Sequence, residues 1–160
     1  MKINKNNVAR LSAGLGAVAG MRTTIAPAVL SHYLSHNPKK SLAKSKLGFM
    51  QSSTAAVVTK ILTAAEIVAD KLPAAPNRII FSQTLPRVLS GAFVGAVVYK
   101  AGKQSSVEGI LIGGASALAA TYASFYIRKL LGKIPLVKDP LLGVIEDVVA
   151  VRSASSMMKS

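Results

Sequence analysis

Glu66 and Asp70 stand four residues apart in AAEIVADKL, a spacing that puts both carboxylates on one face of a helix. Glu146 and Asp147 are adjacent in GVIEDVVAV, so they point about 100° apart and cannot share one partner. Arg22 lies inside the apolar run GAVAGMRTTIAPAVL, with Thr23 and Thr24 beside it and Pro27 just beyond. A charge at bilayer depth costs roughly 2.5 kcal/mol or more, so such a residue pairs or faces a cavity. Pro27 has no N–H and leaves the Thr23 carbonyl without its helical donor, so a kinked or broken helix is expected there. Two chemistries fit these types and spacings. One is structural ion pairing, with Arg22 bonded to Glu66, Asp70, Glu146 or Asp147 and Arg128 as a second cation for the adjacent acids. The other is ion or proton handling in a charged interior. The candidate binding or pathway residues are therefore Arg22, Thr23, Thr24, Glu66, Asp70, Arg128, Glu146 and Asp147.

Other chemistry finds little support. There is no cysteine, which removes disulfides, zinc-thiolate sites and a thiol nucleophile. His32 and His36 have the spacing of two helical metal ligands, but no acid lies between them and no third ligand is evident, so no metal is expected. No phosphate-binding loop, nucleophile elbow or acid–His–Ser arrangement is found, and neither a cofactor nor an enzyme activity is expected. The chain has no Trp, four Phe and four Tyr, too few aromatics for a base-stacking platform, so no nucleic acid is expected despite a net charge of +14.

The elements that must position these residues are helices. Five apolar segments can be drawn, at about Val8 to Tyr33, Thr54 to Leu72, Pro86 to Ala101, Val107 to Leu131 and Pro140 to Met158. Pro86 and Pro140 each open a segment, where a missing N–H is harmless, and Asp139 is placed to cap the fifth. No stretch alternates as a strand would. A soluble amphipathic helix carries a continuous charged face, whereas from Val107 to Ile127 the only charge is Glu108, and from Val88 to Tyr99 there is none. Most of the positive charge falls between segments. The expected fold is all-α, a polytopic helical membrane protein of about five transmembrane helices in one domain spanning residues 1–160, with an N-terminal tail at 1–7 and a solvated basic loop at 37–50.

Three GxxxG pairs, Gly16 with Gly20, Gly91 with Gly95 and Gly109 with Gly113, fall in segments one, three and four, where small residues let helix backbones approach closely. Segments one and two resemble four and five: each pair opens on GxxxG and continues into an acidic cluster. An offset of three spans would invert the second pair, as in inverted-topology repeats with halves 8–72 and 107–158. The Ala17-Val18-Ala19 step looks like a signal-peptidase site, but the apolar run continues past it, so an uncleaved first helix is expected. Alternate placement of five spans puts ten Lys and Arg on the N-terminal side and eight on the other, a weak lean toward a cytoplasmic N-terminus.

GMRTTIAPA (Gly20 to Ala28), ADKLPAAPNR (Ala69 to Arg78), LPRVLSGAFVGA (Leu85 to Ala96), YIRKLLG (Tyr126 to Gly132) and IEDVVAV (Ile145 to Val151) carry a resemblance. In this order they resemble a family of small bacterial membrane proteins, domain-of-unknown-function family 4126, over nearly the whole chain. The resemblance implies an integral protein of the bacterial inner membrane, with the lipid bilayer as partner, and implies no activity. Three functions stay open: a small transporter- or channel-like bundle moving an ion or small molecule; a non-transporting scaffold whose GxxxG faces bind partner helices or a second copy; and a soluble basic helical protein binding nucleic acid or an anionic membrane surface.

Overall fold

The computed structural model describes residues 3–69, 81–131 and 139–159, and every described element is helical. In order these are α1 (Val8–Met21), α2 (Ile25–His36), α3 (Lys40–Ala43), a 3-10 turn (Lys46–Gln51), α4 (Ser53–Ala69), α5 (Phe81–Ala101), α6 (Ser106–Leu131) and α7 (Asp139–Lys159). Segments two, four and five lie on α4, α6 and α7 within a few residues. Asp139 and Pro140 begin α7. Pro86 does not open the third helix: α5 already runs from Phe81, so the proline sits inside it.

The first segment is not one helix. α1 ends at Met21, Arg22 is extended (φ −140°, ψ 119°), and α2 begins at Ile25. The chain then turns back rather than onward. The Tyr33 hydroxyl near the end of α2 hydrogen-bonds the backbone of Ile3, ahead of α1. A Cβ added at Gly102, just past α5, would strike Val8 at the start of α1. Ser41 Oγ donates to the Ala101 carbonyl at 3.0 Å, so the segment after α2 reaches the same end. Thus α1 and α2 form a helical hairpin whose tip is Arg22-Thr23-Thr24. Pro27 in the first turn of α2 accounts for the break, because it cannot donate to Thr23 and its absent N–H is harmless at a helix start. At about 1.5 Å per residue, α1 and α2 are about 21 and 18 Å long, each short of the roughly 30 Å hydrocarbon layer, so segment one does not span as expected.

Around the hairpin the other helices run the length of the bundle. α6 runs alongside α1, with Gly16 against Gly113 and Gly20 against Ala117. α5 and α7 run opposite to α1: Gly95 and Gly91 meet Gly109 and Gly113 of α6, and Met157 meets Gly14. The three GxxxG pairs thus face each other within the chain, at the α1–α6 and α5–α6 crossings. A Cβ on Gly16 would lie 2.5 Å from the Gly113 carbonyl oxygen, and one on Gly91 would lie 2.6 Å from it. Leu11, Leu15, Val18, Ile25, Leu30 and Leu34 of the hairpin pack with Val94, Val97 and Val98 of α5 and Ala150 and Ala154 of α7 in one core. α6 is unbroken where α1–α2 turns back, so the two helix pairs compared in the sequence differ in backbone course.

The basic stretch at 37–50 is a folded element. Leu42 and Met50 are fully buried, and Ser31 Oγ donates to the Met50 carbonyl at 2.9 Å. Lys40, Lys44 and Lys46 remain exposed around these anchors. Among the described residues one helix, Ser106–Leu131, is long and apolar enough to cross a membrane; α1 is a shorter apolar helix.

A charged hairpin tip as candidate functional site

The hairpin tip holds two helix ends of opposite polarity. The end of α1 presents carbonyls that have run out of donors, and the start of α2 presents N–H groups that have run out of acceptors. Each meets side chains from other helices. The Glu66 carboxylate, carried by α4, accepts from the Thr23 N–H at 2.9 Å through one oxygen and from the Thr24 N–H at 2.9 Å through the other. The Thr24 hydroxyl also donates to it, at 2.5 Å. An anion at a helix N-terminus is doubly favoured, by hydrogen bonding and by the helix dipole. Thr24, the N-cap residue of α2, makes no cap bond of its own, so Glu66 does from another helix what a local cap would do.

The α1 end receives cations and hydroxyls. The Gly20 carbonyl accepts from Arg87 Nη1 at 3.3 Å and from Thr121 Oγ1 at 3.0 Å. The Thr23 carbonyl, the one that Pro27 deprives of its helical donor, accepts from Ser90 Oγ at 2.5 Å. Arg87 is 2% exposed, so its charge is held in the interior by groups such as this helix C-terminus. With the third segment opening at Pro86, Arg87 falls at its very start and counts only toward the charge on one side; Arg87, Ser90 and Thr121 are not among the sequence candidates. The signal that marks Arg87 is its place directly before VLSGAFVGAVVY, one of the most apolar runs in the chain.

Arg22 itself is 2% exposed, and its Nε lies 2.5 Å from Asp147 Oδ1 on α7. Its neighbour Glu146 turns to a different cation, Arg128 Nη2 of α6, at 3.9 Å. The roughly 100° between adjacent helical residues therefore sends the two acids to separate helices. Of the sequence candidates, Arg22, Thr23, Thr24, Glu66 and Asp147 are brought together at the tip; Arg128 and Glu146 form a second pair one helical position away; Asp70 lies outside the described residues. His32 and His36 are elsewhere, on the outer side of α2, with ring centroids 4.6 Å apart. Among the described residues no group of three His, Asp or Glu side chains gathers as a metal site.

The tip thus sets one acid on a helix start and buried arginines on a second acid and a helix end. Glu66 is a carboxylate fixed by three donors, two backbone N–H groups and a hydroxyl. A profile of the family described as a domain of unknown function (DUF4126) matches residues 9–158. The chain belongs to that family. The match takes in both halves of the hairpin, Glu66, Arg87, and the Glu146–Asp147 pair. No curated protein and no solved structure matches the chain.

Proposed function

We propose that this DUF4126 protein is an integral membrane protein, transporter- or channel-like, whose hairpin tip lies on the path of a small ion or proton. The observation that carries the reading is the broken hairpin with Glu66 seated on the α2 N-terminus. Irregular backbone at membrane depth is tolerated where it is buried in protein or lines a polar cavity, and half-helix N-termini at mid-bilayer are a common way to build an ion site. The tip is about 21 Å from the basic end of the bundle along α1, and α6 continues about 15 Å beyond it from Thr121 to Leu131. The tip thus lies between the two ends rather than at either.

The outer surface supports a bilayer. Ile61 of α4, Leu111 and Leu130 of α6 and Ile145 of α7 are 62%, 66%, 64% and 50% exposed, on three separate helices. Apolar exposure on that scale, spread around the molecule, suits lipid better than water. The hairpin also regroups the charges. Lys5, Arg10, the four lysines of 39–46, Lys100 and Lys103 fall at one end, against the single acid Glu108, which points to that end as cytoplasmic. The hairpin then enters from the cytoplasmic side. The glycine faces weigh against a scaffold built on them, because they are already occupied by one another within the chain.

Reconstituted liposomes test the proposal. Wild-type protein is expected to carry a proton or ion flux that Glu66→Gln reduces at least tenfold. Silence of the wild type toward H⁺, Na⁺, K⁺ and Cl⁻ overturns the reading.

A further inference from the structure

The segment between α2 and α4 carries much of the charge at the basic end, and it is built as a platform rather than a tether. Lys39, Lys40, Lys44 and Lys46 crowd into residues 39–46. Leu42 and Met50 are buried and fasten the segment from within. Ser41 Oγ donates to the Ala101 carbonyl at 3.0 Å, which sets α3, with Lys40 and Lys44 at its ends, beside Lys100 and Lys103. Lys40, Lys44, Lys46 and Lys103 are exposed, and neither 39–50 nor 100–105 contains an acid.

An apolar ring sits on the same segment, nearer the middle of the bundle. Phe49 is 56% exposed although Met50 beside it is buried. Its ring stacks with that of Phe93 of α5, centroids 6.1 Å apart. Phe93 stands eight residues before Ala101, so it lies about 12 Å along α5 from the level of Ser41. The lysines thus stand at the end of the bundle and the exposed ring on its flank. Charge outermost with an apolar ring below it is the order of headgroups and acyl chains in one leaflet. The cations are lysines, point charges suited to many phosphates in no fixed geometry, where a site for one planar anion would favour the fork of arginine. Phe49 is the only aromatic residue of 37–50 and lies on the flank, so no base-stacking surface accompanies the charge. We infer that residues 39–50 form an interfacial anchor that gathers anionic phospholipid at the basic end, with headgroups on Lys40, Lys44, Lys46 and Lys103 and the Phe49 ring among the acyl chains. The inference rests on the membrane reading above.

The chain has no tryptophan, so a single introduced one reports its surroundings without background. Phe49→Trp in the full chain, reconstituted in mixed phosphatidylglycerol and phosphatidylcholine with one of the two brominated, should be quenched about fivefold more efficiently by brominated phosphatidylglycerol. Lys40→Gln, Lys44→Gln, Lys46→Gln and Lys103→Gln together should abolish that preference and leave quenching by phosphatidylcholine. All four positions are exposed, so the melting curve should not move. Lys→Arg at the same positions should keep the preference. Equal quenching by the two lipids, or a preference that survives the glutamines, overturns the anionic site. Leu111→Trp on α6, 66% exposed, separates this inference from the membrane reading. If Leu111→Trp is quenched and Phe49→Trp is not, the segment stands in water and the anchor alone falls. If neither is quenched, the membrane reading falls and the anchor with it.

Discussion

Gly95→Ala should destabilise the protein, and Gly114→Ala, on the neighbouring helix of the same pair, should not. A Cβ at Gly95 would lie 2.8 Å from the Gly109 carbonyl carbon, closer still to its oxygen, and 3.2 Å from Gly113 Cα. All three are α6 backbone atoms, so no side chain can swing aside, and normal carbon contacts lie at about 3.5–4.0 Å. Relief requires α5 and α6 to separate, and overpacking of this kind costs about 1–3 kcal/mol. The upper part of that range applies because the obstacle is backbone. Replacing glycine by alanine inside a helix returns roughly 0.5–1 kcal/mol, leaving a net loss of about 2 kcal/mol. At Gly114 the nearest atom is Ala92 Cβ at 3.5 Å, an ordinary contact, so only the helix gain remains. For a chain of this size 1 kcal/mol corresponds to about 2–4 °C, so Gly95→Ala should melt about 4–8 °C lower and Gly114→Ala at or slightly above the wild type. Thermal melts of both variants in one detergent read the difference. Equal melting temperatures would refute the backbone-contact argument.

The tip gives further expectations. Arg22→Ala should lose about 3–5 kcal/mol by leaving Asp147 buried without its cation, and Arg22→Ala with Asp147→Ala should lose less than the sum, as a double-mutant cycle of melts would show. Glu66→Ala should lose about 1–3 kcal/mol, because the Thr23 and Thr24 N–H groups stay behind unbonded, and Glu66→Gln should lose less while suppressing flux. With no native cysteine, single cysteines at Lys5 and Lys44 should label from the same side of the membrane, because α1 and α2 between them form a hairpin rather than a crossing. Labelling from opposite sides would refute the hairpin.

α4, α6 and α7 were legible because each is a long apolar run ended by charges or proline. The break before Pro27 was legible for a local reason too: a missing N–H frees a named carbonyl. The reversal of direction at the break was not, since the same residues permit a kink. What decides it is distant: Gly102 against Val8, Ser41 against Ala101, and Leu42 and Met50 buried in a stretch whose lysines masked its apolar anchors. Taking segment one as a crossing placed Lys5 and Lys44 on opposite sides, which is why the charge count came out nearly even. In the site, helix geometry gave the divergence of the adjacent acids and named Arg22 and Arg128 as arginines for one of them to reach; that each acid takes its own is seen in the structure. Helix geometry did not name Arg87, because the Gly20 carbonyl that it reaches is a backbone group, and no side-chain pattern announces one.

The tip has two parts that differ in what could replace them. The Arg22–Asp147 pair joins two side chains, so an apolar pair of similar volume can substitute for both at little loss, as buried ion pairs often allow. Glu66 has no such substitute. Its partners are backbone N–H groups, fixed by the break itself, and they remain whatever residue stands at position 66. A protein that needed only to close this hairpin could have placed a local cap at Thr24, at the cost of no buried acid. Reaching across from α4 instead ties the end of one helix to the position of another and to a group that can change charge. Removing the Glu66 side chain would take away three bonds at once and leave the start of α2 without the acceptor that now seats it.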